Sequence, residues 1–216
     1  MRVLVVNPNT SIGVTRHIAR AARNAAQPGD EIVTVPAAFG PELIVTPADA
    51  ALAMQGVLAA VDRYHDGMDA IVLASFGDTG LDQVCDRTGK PVVGIAYAAL
   101  MQALDHGPRF SIVSFNPSVK ESLRAIVGHY GLLEHLADVT VLGDSTWSDP
   151  GEIQRELAEP LLELCQMRAR VGDIDSIILG GGPLAGLAQD FAPHVDLPIV
   201  DGTTAALRLL RRQSAG

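Results

Sequence analysis

The chain of 216 residues repeats itself, and that repeat limits its fold more than any other feature. Arg2–Asn7 (RVLVVN) matches Arg109–Ser114 (RFSIVS) 107 residues later. Ala70–Ser75 (AIVLAS) matches Ser176–Gly181 (SIILGG) at 106, and Pro91–Ala99 matches Pro198–Ala206 at 107. Any two α/β segments share residue types, but a constant offset for three pairs in one order points to duplication. Each half reads as a small parallel sheet covered on both faces by helices, because its strands are short and several are apolar throughout. The expected fold is therefore α/β, with two pseudo-symmetric, flavodoxin-like, parallel-sheet lobes. Loops at the C-terminal strand tips would face each other across a cleft, where open α/β sheets bind ligands. The first lobe is expected to hold residues 1–97 and a return segment at about 205–216, and the second residues 98–204.

Eight strands are expected: Arg2–Val6, Glu31–Val35, Ala70–Ala74, Pro91–Ile95, Arg109–Ser114, Val139–Leu142, Ser176–Leu179 and Pro198–Val200. Thr46-Pro47-Ala48-Asp49 starts a helix with an N-cap, a proline at the first position and an acid in the first turn. Ser148-Asp149-Pro150 opens another that runs to about Arg170, and Pro160 should kink or divide it.

Composition narrows the partners. Sixteen basic residues against 25 acidic ones give a net charge of -9, which argues against a nucleic-acid partner. No apolar stretch approaches the roughly 20 residues of a membrane helix. Met1-Arg2 and four apolar residues before Asn7 read as a strand start and not as a secretory signal. Cys85 and Cys165 are too few for a disulfide framework or a zinc site. No two of His17, His65, His106, His129, His135 and His194 form a metal pair at helical spacing. The expectation is a cytoplasmic, soluble protein without a metal, a membrane or a nucleic acid, acting on a small molecule.

Three loops carry candidate chemistry. Asn7-Pro8-Asn9-Thr10-Ser11 follows the first strand and offers amide, hydroxyl and N–H groups suited to a carboxylate or an amide carbonyl. A plain turn with an N-cap would use the same residues. Ser75-Phe76-Gly77-Asp78-Thr79-Gly80 and Gly180-Gly181-Gly182-Pro183 end equivalent strands. The glycines bare backbone N–H groups that could hold an oxyanion. Their spacing misses the dinucleotide fingerprint, and no Lys-Ser/Thr follows them, so neither a dinucleotide site nor a P-loop is indicated. Asp78 could serve as a base, but the plainer role is to hydrogen-bond its own turn. Ser114 ends the strand equivalent to the first and would mirror Asn7 as a substrate contact. His106, near the junction of the halves, is the best imidazole candidate. Both cysteines read as small buried hydrophobes.

Asn-Pro-Asn-Thr-Ser after the first strand, Phe-Gly-Asp-x-Gly-Leu after a central strand, Pro91–Ile95 with Ala98-Ala99, Arg109–Val113 and Pro198–Gly202 together resemble the aspartate/glutamate/hydantoin racemase superfamily. The hydantoin and allantoin racemase branch is the nearest in kind. The likeness runs through essentially the whole chain. It implies two lobes with the active site between them, no metal, no organic cofactor, and a homo-oligomer. It also implies a cysteine at each of two equivalent loop positions, one thiolate removing the α-proton and the other thiol reprotonating the opposite face. Here those positions are Ser75 and Gly181. A serine hydroxyl is a far weaker base than a thiolate, and glycine has no side chain, so two-base racemisation by thiols is not supported. Tyr97 stands where hydantoin racemases tend to have a glutamate.

The expected catalytic positions are thus Ser75, Gly181 and Asp78. The expected substrate contacts are Asn9, Thr10, Ser11, Phe76, Gly77, Tyr97, Ser114, Gly182 and Pro183. Three functions stay open: an enzyme with altered chemistry, acting as a hydrolase or a decarboxylase/lyase through Ser75 and the glycine N–H groups; racemisation by non-thiol bases such as Asp78 with a histidine; and a non-catalytic metabolite binder.

Overall fold

The computed structural model describes residues 1–143 and 146–214. Two four-stranded parallel sheets form, one from each half. In the first, β1 (Arg2–Asn7) lies between β2 (Glu31–Pro36) and β3 (Ala70–Leu73), and β4 (Val92–Gly94) sits outside β3. In the second, β5 (Phe110–Ser114), β6 (Leu136–Val141), β7 (Ser176–Leu179) and β8 (Ile199–Asp201) repeat that order. The pairing repeats too: Leu73 stands opposite Gly94, and Leu179 opposite Asp201. All eight expected strands are present, their ends moved by at most three residues and those of Ser176–Leu179 not at all. The sixth differs most. It begins at Leu136, three residues early, and its register shifts opposite Phe110 and Ser111. The central strands are buried along their whole length or nearly so, which is why each is an unbroken apolar run.

Helices α1 (Ile12–Ala25), α2 (Pro47–Tyr64), α3 (Leu81–Thr88) and α4 (Ile95–His106) follow the first four strands, and α5 (Lys120–His129), α6 (Ile153–Arg170), α7 (Leu187–Phe191) and α8 (Gly202–Ser214) follow the second four. The Thr46 hydroxyl accepts from Asp49 N while the Asp49 carboxylate accepts from Thr46 N, a reciprocal cap worth about 1 kcal/mol. Of the two outcomes expected of Pro160, a kink or a division, division does not occur. The helix runs unbroken, held by the buried Leu157, Leu161, Leu164 and Cys165 on the second lobe.

The lobes exchange helices. α4 leaves the first sheet and packs on β7 and β8, while α8 leaves the second sheet and packs on β3 and β4. α4 and α8 lie against each other, and one apolar core containing Val5, Val72, Leu100, Ile112, Ile178 and Leu207 spans both halves. α8 is also tied to the first lobe by Arg211, which donates to Asp30 Oδ2 and to Ala25 O at 2.8 Å. Residues 215 and 216, grouped with this return segment in the sequence, lie outside the described residues. No helix among the described residues is long and apolar enough to cross a membrane.

Candidate active site

In a sheet of order 2-1-3-4, connections leave β1 and β3 toward opposite faces and open a crevice at their C-terminal tips. Both lobes have that order, and the tips of β1, β3, β5 and β7 meet at one cavity of about 230 Å³. From the first lobe come Asn9, the stretch 43–47, Ser75, Phe76, Gly77 and Thr79. From the second come Phe115, Val119, Ser122 and Leu123, with the loop Gly180–Pro183. Ser75 and Gly181 thus line the same space. The two loops also touch, since a Cβ on Gly182 would stand 3.0 Å from the Ala74 carbonyl oxygen.

The loop after β1 works mostly for itself. Asn7 is fully buried, and its Nδ2 donates to Asn9 Oδ1 at 2.8 Å and to Thr15 Oγ1 at 3.0 Å. Ser11 caps α1 by accepting from Val14 N, and Thr10 N donates to Pro41 O. Only Asn9 of this loop reaches the cavity. Its Oδ1 accepts from Asn7 Nδ2 and Ser11 N, which fixes the amide plane and leaves Nδ2 without a hydrogen bond among the described residues. Thr10 and Ser11, expected as substrate contacts, shape the loop instead.

Backbone N–H groups supply further donors. Those of Phe76, Gly77, Gly181 and Gly182 make no hydrogen bond among the described residues, while Asp78 N donates to Ser75 O and Gly180 N to Val113 O. Ser114, expected to touch substrate, is fully buried and donates to Gly180 O at 2.6 Å, so it braces the base of the glycine loop. The Ser75 hydroxyl donates to Thr79 Oγ1 at 3.1 Å and accepts from Thr79 N at 3.4 Å. No histidine or carboxylate bonds to it among the described residues. Most of the remaining wall is hydrocarbon, from Leu43, Val45, Phe76, Phe115, Val119 and Leu123, with Thr46 and Ser122 adding hydroxyls.

Asp78 does not line this cavity, and it does not serve its own turn as expected. It lies at φ 46°, is 5% exposed, and reaches β4 and α4. Its Oδ1 accepts from Ala96 N and its Oδ2 from Tyr97 N, each at 2.9 Å, so it caps α4 across a sequence gap. The Tyr130 hydroxyl, from the second lobe, donates to Oδ2 at 2.7 Å. Burial raises the Asp78 carboxyl above its ordinary value against the pull of these three donors. The same burial, with the adjacent carboxylate, pushes the Tyr130 hydroxyl well up. With both oxygens engaged, Asp78 ties the loop 75–80 to the start of α4 and to Tyr130 of the second lobe. Tyr97 also lies outside the cavity; its ring packs on Tyr130 with centroids 5.1 Å apart. Its backbone N–H, and not its phenol, explains its place.

The cysteines stay out of the cleft. Cys165 is buried in α6, where burial pushes its thiol up to about 12. Cys85, on α3, is only half-buried, less than expected, and burial with Asp82 and Asp86 raises it too. His106 ends α4, exposed, in a groove against α8, away from the cleft. Among the described residues no cluster of three His, Cys, Asp or Glu could hold a metal.

Sequence reading missed Thr79, the stretch 43–47, Phe115 and Tyr130. One signal was available: at the repeat's offset of 107, Phe115 and Asn116 answer to Pro8 and Asn9, which marks the loop after β5 as second-lobe lining.

Comparisons with known proteins agree with this architecture. The chain is 33% identical over 213 residues to a hydantoin racemase of Paenarthrobacter aurescens, covering 97% of this chain and 89% of the relative. The structure superposes on an allantoin racemase of Klebsiella pneumoniae with a TM-score of 0.92 at 33% identity, covering 100% of this chain and 88% of that one. It superposes on an allantoin racemase of Pseudomonas fluorescens with a TM-score of 0.90 at 29% identity, covering 100% and 91%. The profile of the Asp/Glu/Hydantoin racemase family matches residues 3–210, and the chain belongs to that family of enzymes.

Proposed function

We propose that this protein acts, without a cofactor, on a small uncharged cyclic amide or ureide of the hydantoin or allantoin kind held between its lobes. The observation that carries this is the set of unpaired donors from both lobes, Asn9 Nδ2 and the N–H groups of Gly77, Gly181 and Gly182, set in hydrocarbon walls. Such a set suits carbonyl oxygens of a neutral ring with an apolar substituent. A free amino acid would bring a charged carboxylate and ammonium, and burying either beside Leu43, Phe115 and Leu123 without a counter-charge is costly. The names of the relatives point to the same substrate class.

The chemistry does not pass through paired thiols, because the two tips are Ser75 and Gly181. The Ser75 hydroxyl is hydrogen-bonded to the Thr79 hydroxyl and has no histidine or carboxylate bonded to it among the described residues, which leaves it poorly activated as a nucleophile for hydrolysis. Loss of carbon dioxide from a carboxylated ring breaks a C–C bond and leaves a carbanion; the glycine N–H groups can hold its adjacent oxygen while the Ser75 hydroxyl hands it a proton and takes one back from solvent. That favours proton transfer or a lyase step on one face over serine-type hydrolysis.

The test incubates the purified protein with single enantiomers of 5-substituted hydantoins and of allantoin. Loss of optical rotation without mass change marks racemisation, addition of water marks hydrolysis, and carbon dioxide from a carboxylated analogue marks a lyase. Thermal stabilisation without turnover marks a binder. Stabilisation by free amino acids and none by cyclic amides would overturn the reading.

A further inference from the structure

The two tips present unlike surfaces to the cleft. Ser75 carries a hydroxyl. Gly181 carries nothing and lies at φ 134°, a conformation L side chains rarely adopt. A Cβ there would stand 3.1 Å from Phe115 Cε1 and 3.7 Å from Pro183 Cδ. Phe115 cannot easily give way: it is 2% exposed, and its far side meets Trp147 edge-on with centroids 5.5 Å apart. Nor can the loop retreat, since Gly182 is already against the Ala74 carbonyl of the first lobe. The ring thus stands close to the position from which a second-lobe side chain would project, and it is part of the cavity wall.

We infer that Phe115 is the specificity-determining residue of the cleft, walling the second-lobe face so that a cyclic amide is bound as one enantiomer. The inference rests on the cyclic-amide reading above. A ring pinned through its carbonyls by N–H groups has its 5-substituent on one side or the other. At the Ser75 tip that substituent meets a hydroxyl flanked by Phe76, and at the Gly181 tip, which has no side chain, it meets the Phe115 ring. Burying a branched hydrocarbon group on one side only corresponds to a preference on the order of tenfold to a hundredfold. A two-base racemase needs a proton carrier on each face; this cleft has a hydroxyl on one and an aromatic wall on the other.

Trp147 is the only tryptophan of the chain and touches Phe115, so its fluorescence reports on this wall. The experiment measures dissociation constants for hydantoin and for each enantiomer of 5-isopropylhydantoin, by Trp147 emission and by calorimetry, on the wild type, Phe115→Leu and Phe115→Ala. The wild type should favour one enantiomer at least tenfold. Phe115→Leu should still bind unsubstituted hydantoin while the ratio falls below about threefold. Equal binding of both enantiomers by the wild type, an unchanged ratio in Phe115→Leu, or racemisation of either enantiomer would overturn the inference. If neither hydantoin nor its derivatives bind, the cyclic-amide reading falls, and the selectivity with it; binding without preference removes only the latter. Gly181→Ala gives a check that needs no ligand. It should shift Trp147 emission in the wild-type background and do so much less with Phe115→Leu, and an unmoved emission would show that ring and tip are not in contact.

Discussion

The duplicated halves meet along two seams that differ. On one side α1 lies hard against the turn that opens α6. A Cβ on Gly13 would be 2.5 Å from the Gly151 Cα, His17 Nε2 stands 2.8 Å from Gly151 O, and Arg20 donates to Gln154 Oε1 at 3.0 Å. On the other side the corresponding elements are α5 and the start of α2. There Val119, Ser122 and Leu123 face Thr46, Pro47 and Ala50 across the open cavity. One duplication thus yields a sealed seam, which holds the lobes together, and an open one, which can take a ligand. Where two backbones close on each other, both halves of the contact are glycine; where larger side chains face each other, space remains.

The same inversion recurs in the two carboxylates at the sheet tips. In the first lobe Asp78 reaches from the β3 loop to the start of α4, and Gly94 leaves room for it, since a Cβ there would lie 2.1 Å from Asp78 Cγ. In the second lobe the acid sits at the register position of Gly94. Asp201 reaches back to Gly186 N at 2.7 Å and forward to Thr204 N at 2.8 Å. The bridge is conserved between lobes while its origin is exchanged, and only the first lobe's acid also ties the lobes together, through Tyr130.

Breaking that pair should expose the difference. Gly94→Ala should cost about 3 kcal/mol in urea unfolding, because it drives a methyl group into a carboxylate anchored by three donors. Asp201→Gly should cost only about 1 kcal/mol, the usual worth of a lost cap. Equal losses would mean the two bridges are equivalent after all. The tips offer the next test. Gly181→Cys should cost about 2 kcal/mol for its positive φ and its contact with Phe115, whereas Ser75→Cys should be nearly neutral. Neither single change should produce racemisation of a hydantoin, read by polarimetry, since one face would still lack a base.

Tyr130→Phe should remove about 1–2 kcal/mol by taking a donor from a buried carboxylate. Burial already raises Asp78, so the folded state binds its proton more tightly than the unfolded state does, and stability falls as pH rises from 3.8 through the raised value. Losing the Tyr130 donor should raise it further and widen that window, as read by carboxyl-carbon NMR titration. The last test concerns the seam of α8. Burial alone would raise Asp30, but hydrogen bonds from Gln27 N, Arg211 and the N-terminal amine hold it down to about 2. Its contribution is present above 3.8 and is lost as pH falls toward about 2. Asp30→Asn should flatten that part of an acid unfolding curve, and an unchanged curve would show that Arg211 does not fasten α8 through this acid.

The strands were readable because a parallel strand covered on both faces must be apolar at every position, and the constant spacing of RVLVVN with RFSIVS and of AIVLAS with SIILGG declared two sheets. The α2 cap was readable for the same local reason, since Thr46 and Asp49 satisfy each other within one turn. Candidate residues separated less cleanly. Asn9, Ser75, Phe76, Gly77, Gly181, Gly182 and Pro183 face the cavity, while Thr10, Ser11, Asp78, Tyr97 and Ser114 support it from behind. Short polar side chains in tip loops can bond to the backbone or to a ligand, and residue type does not say which. Asp78 illustrates this: its partners lie 18, 19 and 52 residues further on.

What the chain determined by itself was therefore local or periodic: eight strands with the central four buried, their duplication, and a pair of tips without thiols. Tertiary structure decided which seam closed, which acid bridged from which side, and that Phe115 rather than a side chain of residue 181 walls the second face. Those outcomes depend on distances between segments far apart in the chain, where a missing Cβ or a ring seated against a glycine matters more than any residue's own preference.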